Sequence, residues 1–214
     1  TLVRPEYVQP KEFVIVDGLL GFSTPVMRQF YDIKVFLDPP EDLRRLWKVK
    51  RDTTKRGYTV EEVLSSLEKR KTDTLEFIQP QREYADIVVR FSPPPGVRPE
   101  DAGAGLDVRL VLRPTIPHPS LDYLVNPGSP KNSPIRLALG RDNGRPVDFL
   151  EIDGHVTAEQ AARLEEAIWD HLPDVQVVTE DEFGDYQDRM EVKHSHPLAL
   201  TQLLLTYHLL RQYT

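Results

Sequence analysis

The sequence predicts an α/β protein in two parts: a partial parallel sheet with covering helices over residues 1–93, and a mixed α+β extension over residues 94–214. Three observations carry this expectation. Short β-branched runs alternate with amphipathic helical stretches as far as residue 91, the order of parallel strands joined by helices. The stretch "SPPPGVRPEDAGAG" then interrupts the pattern with the proline and glycine content of a linker. Beyond it, strand-like runs follow one another with turn signals between them, as in an antiparallel or mixed sheet.

After a polar lead (Thr1 to Glu12), "FVIVDG" reads as a buried strand ending in an acid and a glycine. "STPVMRQFYD" offers Ser23 as a helix cap with Pro25 just inside, and "IKVFLD" reads as a second strand. Asp38, followed by two prolines and two acids, is expected to cap the next helix. Val60, Val63, Leu64 and Leu67 give a further helix its apolar stripe; Pro80 ends it, and "ADIVVRF" forms a third strand. In the extension, "LDVRLVLRP", "IRLALGR" and "VDFLEIDG" read as strands, "TAEQAARLEEAIWDHL" as a helix capped by Thr157, and "VQVV" as a short strand. "PLALTQLLLTYHLLRQY" is a strongly apolar closing helix whose leucines are expected to pack over the sheet. Three strands make a meagre parallel sheet, because such sheets normally have both faces and neighbouring strands filled.

Composition bounds the function. The 214 residues carry a formal net charge of −7, which argues against a general nucleic-acid binder, and no apolar run is long enough to span a bilayer. A cytoplasmic location is the expectation. Zero cysteines exclude disulfides, thiolate zinc sites and thiol regulation through this region. His194 and His196 alternate as on one strand face, but a surface pair is favoured over zinc because no third ligand is suggested nearby. His155, Glu151 and Asp153 read as strand-edge and turn residues.

Against this acidic background, "RRLWKVKRDTTKR" holds seven basic residues (Arg44, Arg45, Lys48, Lys50, Arg51, Lys55 and Arg56) and one acid, Asp52. On a helix, Leu43, Leu46 and Trp47 form an apolar stripe, and Asp52 has Lys48 four residues before it and Arg56 four after, within pairing distance. An exposed ladder of ion pairs would explain this at about 0.3–0.5 kcal/mol per pair. The functional reading gives Arg51 and Arg56 to phosphate oxygens, which the planar guanidinium binds bidentately, with Asp52 organising them or a metal ion. Asp17 favours that reading. An acid at the carboxyl end of a strand is where open α/β sheets place ligand groups and where nucleotide-hydrolysing folds position magnesium.

These residues also resemble a known family. "VIVDGLLGF", "WKVKRDTTKRGYT" and "SLEKRKTDTLEFIQPQREYADIVV" are similar to the signatures of the phosphoribulokinase and uridine kinase family, over about residues 8–91. "RKTDTLEFIQPQ" and the extension, with "LEIDGHV" and the closing helix, favour the phosphoribulokinase branch. The resemblance implies a P-loop kinase-type sheet, with residues 1–93 as the C-terminal half of the kinase domain, bearing a Walker B-like acid and a lid. It implies ATP and magnesium as cofactors, ribulose 5-phosphate as substrate, ribulose 1,5-bisphosphate for carbon fixation as product, and a homo-oligomeric assembly without nucleic-acid or membrane partners. By position, Asp17 would be the metal-associated acid, and Arg51 with Asp52 the arginine-aspartate pair of phosphoryl transfer, Asp52 also toward metal. Lys48, Arg56, Lys69 and Arg70 would bind phosphate or substrate.

Departures from the family are equally informative. No G-x-x-x-x-G-K-[ST] loop occurs in these 214 residues, nor the aspartate that acts as the family's general base, so the chain by itself is expected to be inactive as a kinase and to form the C-terminal part of a longer one. The family's first strand would lie between residues 13–16 and 33–37. Leu20 stands where the family commonly has histidine, and Asp17 where it usually has glutamate. A uridine kinase-like enzyme and a catalytically inactive sugar-phosphate-binding module are the rival readings.

Overall fold

The computed structural model describes residues 7, 9, 11–103, 105–125, 133–172, 183–188 and 191–213. The expected strand "VQVV" lies outside them.

A five-stranded mixed sheet forms the centre: β1 (Val35–Leu37), β2 (Ile87–Ser92), β3 (Asp107–Leu112), β4 (Ile135–Asp142) and β5 (Arg145–Ile152), in the order β1-β2-β3-β5-β4. Only β1 and β2 run parallel, with Phe36 opposite Val88; the other neighbours are antiparallel. The proline-rich linker is therefore the connection between β2 and β3, and one sheet runs through both parts of the chain. At the β4–β5 turn, Asn143 and Gly144 both take positive φ, 50° and 79°, the left-handed backbone that suits a two-residue hairpin. Gly140 is required for a different reason. The Phe149 ring of β5 lies over it, and an added Cβ would sit 2.4 Å from that ring.

Alternation sends Ile87, Val89, Val108, Leu110, Leu112, Leu150 and Ile152 to one face, where two helices cover them: α5 (Ala158–Trp169), through Ala161 and Ile168, and α6 (His196–Tyr213), through Leu200, Leu203, Leu204 and Tyr207. Burying each such side chain contributes about 1.5–3 kcal/mol, which is why the closing helix is apolar on most sides. The opposite face is thinner, with Val88, Val111 and Val147 packed against Phe22, Phe36 and Phe149. Thr157 caps α5 in a reciprocal capping box with Gln160, as the sequence indicates.

Around β1 lie α1 (Pro25–Arg28), α2 (Glu41–Lys55), α3 (Val60–Lys69) and α4 (Lys71–Asp73), then a π-helical turn (Thr74–Ile78) and a 3₁₀ segment (Gln79–Tyr84). The single long helix expected before Pro80 is thus a broken series. A small hairpin, β6 (Asp185–Asp188) with β7 (Glu191–His194), precedes α6.

Four local expectations are corrected. Residues 13–16 form no strand, and Val14, Ile15 and Val16 are 66%, 87% and 60% exposed. Among the described residues, β1 has a strand neighbour only in β2, so this apolar run has no ladder to join. Thr24, not Ser23, caps α1, because its hydroxyl accepts the Met27 N–H while Ser23 donates to Leu20 O. Asp38 does not cap α2, whose N-cap is Pro40; its carboxylate instead pairs with Arg82 at 2.9 Å. His194 and His196 do not share a strand: His194 ends β7 and His196 begins α6, their rings linked at 3.2 Å.

Candidate functional site

α2 carries the basic cluster. Pro39 and Pro40 stop the preceding strand, Glu41 and Asp42 sit in the first turn where the helix dipole favours acids, and Leu43 anchors that end in the core. The far end stops at Arg56, after which Gly57 takes φ 72° and Thr59 opens α3 with a capping box to Glu62.

At that far end Asp52 is only 4% exposed, too buried for a member of a surface ladder. Lys48 Nζ lies 3.0 Å from its Oδ2, Arg51 Nε 2.8 Å from its Oδ1 and Arg56 Nη1 3.4 Å from the same oxygen. The carboxyl pKa is lowered to about 2, chiefly by the hydrogen bond from Arg51, which together with Lys48 outweighs the opposing effect of burial. A carboxylate held that low is a feeble proton acceptor near neutral pH. The Arg51 and Arg56 side chains are about half exposed, 51% and 56%, so their guanidinium groups are ordered from below and face water above. Three cations on one buried carboxylate leave a net positive surface with fixed donors, the electrostatics of an anion site.

The other expected site residues stand apart. Asp17 is exposed, and no hydrogen bond or ion pair joins it to the Asp52 cluster. Lys69 ends α3 and Arg70 is its C-cap residue; both are exposed and line a shallow depression with Glu61, Glu62, Ser65 and Ser66. Among the described residues no three His, Asp or Glu side chains gather to hold a metal ion. The exposed Asp17 carboxylate offers a hard cation one side-chain ligand and no more, whereas magnesium sites commonly add phosphates and water to one or two carboxylates. Both Asp52 oxygens, by contrast, are engaged by cations.

Five residues not anticipated from the sequence shape the surroundings. Gln81, 4% exposed, donates to Leu19 O at 2.9 Å and Phe77 O at 2.7 Å and accepts from Phe22 N–H at 2.7 Å, fixing the loop that follows Asp17. Arg82 bridges Asp38 and Asp142, and Arg113, buried at 4%, joins it on Asp142 at 2.7 Å. Asp188 and Gln187 of the β6–β7 hairpin contact Lys50 and Lys55 of α2. None has a local signal, since each works through partners remote in sequence.

Residues 1–96 match the model of the phosphoribulokinase / uridine kinase family. A phosphoribulokinase of Synechocystis sp. is 32% identical over 164 residues, which is 70% of this chain and 49% of that protein. Over residues 1–96 the chain belongs to this family. A uridine kinase of Shewanella frigidimarina is 39% identical over 83 residues, 38% of this chain and 39% of the other. A solved phosphoribulokinase from Rhodobacter spheroides aligns with a TM-score of 0.43 and 20% identity, covering 68% of this chain and 50% of that one. The chain spans about half or less of the length of the curated relatives it matches, for instance 49% and 43% of the phosphoribulokinases of Synechocystis sp. and Triticum aestivum. No helix among the described residues is long and apolar enough to cross a membrane.

Proposed function

We propose that this chain supplies the phosphate-gripping lid helix, the metal-associated acid and the C-terminal extension of an ATP-dependent sugar kinase that phosphorylates ribulose 5-phosphate. The observation that carries the reading is the buried Asp52 carboxylate holding Lys48, Arg51 and Arg56, the two arginines with half-exposed side chains. Phosphoryl transfer spreads negative charge over the phosphoryl oxygens, so preplaced cations stabilise the transition state more than the ground state. Arg51 and Arg56 bind the oxygens, Lys48 adds charge, and Asp52 fixes all three. Lys69 and Arg70, at the end of α3, meet the sugar phosphate when the lid closes and water is excluded. Asp17 would hold magnesium, which when bound neutralises further phosphate charge. In this division residues 1–93 are the C-terminal half of the kinase domain and 94–214 the extension, the phosphate loop and general base coming from another segment. The exposed Val14–Val16 run and the outer position of β1, whose one strand neighbour among the described residues is β2, support that arrangement.

Ribulose 5-phosphate is favoured over uridine by the reach of the similarity. The 164 residues matched to the Synechocystis protein exceed the 96 that match the family model, so they extend into the second part of the chain. The 83 matched to a uridine kinase are fewer than precede the linker. The test is a phosphotransfer assay of the complete gene product with ribulose 5-phosphate and with uridine. Turnover of the sugar phosphate, reduced by about two or more orders of magnitude in Arg51→Ala and Asp52→Ala with the fold retained, is expected. Turnover of uridine alone would reassign the substrate. Absence of both activities would leave the non-catalytic binding module.

A further inference from the structure

We propose that the β6–β7 hairpin of the extension is a brace for the phosphate-facing half of α2, with Asp188 as its positioning residue. The need for a brace is visible in how α2 is held. Its one buried apolar residue, Leu43, lies in the first turn; near the other end only the polar Asp52 is buried, and Lys50, Arg51, Thr54 and Lys55 are exposed. Helical geometry alone does not fix the direction in which that end points, and the arginine pair sits there.

The hairpin takes hold of α2 on both sides of Asp52. The Asp188 carboxylate forms an ion pair with Lys50, the residue before Arg51, and Lys193 Nζ meets its other oxygen at 2.7 Å. Gln187 Oε1 accepts a hydrogen bond from Lys55 Nζ at 2.6 Å, three residues beyond Asp52. Asp188 is 14% exposed as a side chain, better shielded than an ordinary surface pair, and it is shared by two lysines. Two separate contacts spaced along one helix resist its rotation as well as its tilt, which a single surface pair would not. Residues near the end of the extension thereby set the aim of a helix more than 130 positions earlier, as the Lys55–Gln187 separation of 132 shows. The catalytic meaning of the brace rests on the phosphate reading of Arg51 and Arg56, but its existence does not.

Hydrogen exchange on the 214-residue chain tests the brace directly. In Asp188→Asn, the amides of residues 50–56 should exchange about three- to tenfold faster, with α5 and α6 unchanged. Lys50→Met should do the same, and the double variant should add nothing, the mark of a shared interaction. Asp188→Glu should recover part of the protection. Unchanged exchange in Asp188→Asn overturns the proposal, as does a uniform rise that reaches α5 and α6. Inorganic pyrophosphate titrated by calorimetry provides a second readout. Asp188→Asn removes a negative charge, so electrostatics alone predicts tighter binding, whereas a misaimed helix predicts binding weakened about threefold or more. Tighter binding with unaltered exchange refutes the brace. Failure of the unaltered chain to bind pyrophosphate refutes the phosphate reading, and exchange still decides the brace.

Discussion

Gln81 accepts the Phe22 N–H at 2.7 Å across 59 residues of sequence, and its amide nitrogen donates to Leu19 O at 2.9 Å. One buried side chain thus holds both ends of the turn that follows Asp17. Its replacement by leucine should cost about 2–3 kcal/mol, since Phe22 N–H loses its partner inside the fold. Urea unfolding measures the cost. Faster exchange at Phe22 without change in α6 would locate it in the turn.

Asp142 receives both Arg82 and the buried Arg113, and their hydrogen bonds hold its carboxyl below its ordinary pKa despite opposing burial. Asp142→Asn leaves two guanidinium groups short of a counter-charge at the end of β4. A loss of about 3–5 kcal/mol is expected, seen as a lowered denaturation midpoint. A loss below about 1 kcal/mol would mean that water replaces the carboxylate there.

His208 is 1% exposed within α6, its Nδ1 against Leu204 O at 2.7 Å and its ring edge-on to His118. Burial, offset in part by the Leu204 carbonyl, lowers its pKa to about 4. The unfolded chain takes up a proton below about pH 6.5 while the folded one does not, so stability is full above that pH and falls as the pH drops toward 4. About 2 kcal/mol should be lost by pH 5. The comparison is between urea midpoints at pH 7 and pH 5, and His208→Phe should flatten the difference.

Asp52 gives a second, lower arm. With its pKa lowered to about 2, its ion pairs contribute above about pH 4 and are lost between pH 4 and pH 2. Asp52→Asn should remove this arm while leaving that of His208 in place, as followed by the helical circular dichroism signal during acid titration.

The periodic parts of the fold were legible. Alternating apolar residues identified β2, β3 and β5, and the leucines of α6 announced a helix over the sheet, because burial imposes those periods directly. The Lys48–Asp52–Arg56 spacing likewise foretold the ion pairs of one helix. What failed depended on distant partners. Val14–Val16 reads as a strand, yet a strand forms only beside a neighbour with a matching edge. Asp38 has every local feature of a cap and is claimed instead by Arg82, 44 residues away. Gln81 and Asp188 carry no pattern, since one glutamine or aspartate among many becomes special only once the chain has folded back on it.

The Val14–Val16 run and Leu37, 65% exposed on β1, have a consequence for handling the molecule. An unpaired strand edge is a template for intermolecular pairing, exposed β-branched residues add to that tendency, and no lysine, proline or bulge interrupts Val35–Leu37. At high concentration, this chain expressed by itself should grow into sheet-rich assemblies from that side, so its shelf life is set by colloidal chemistry before thermal unfolding matters.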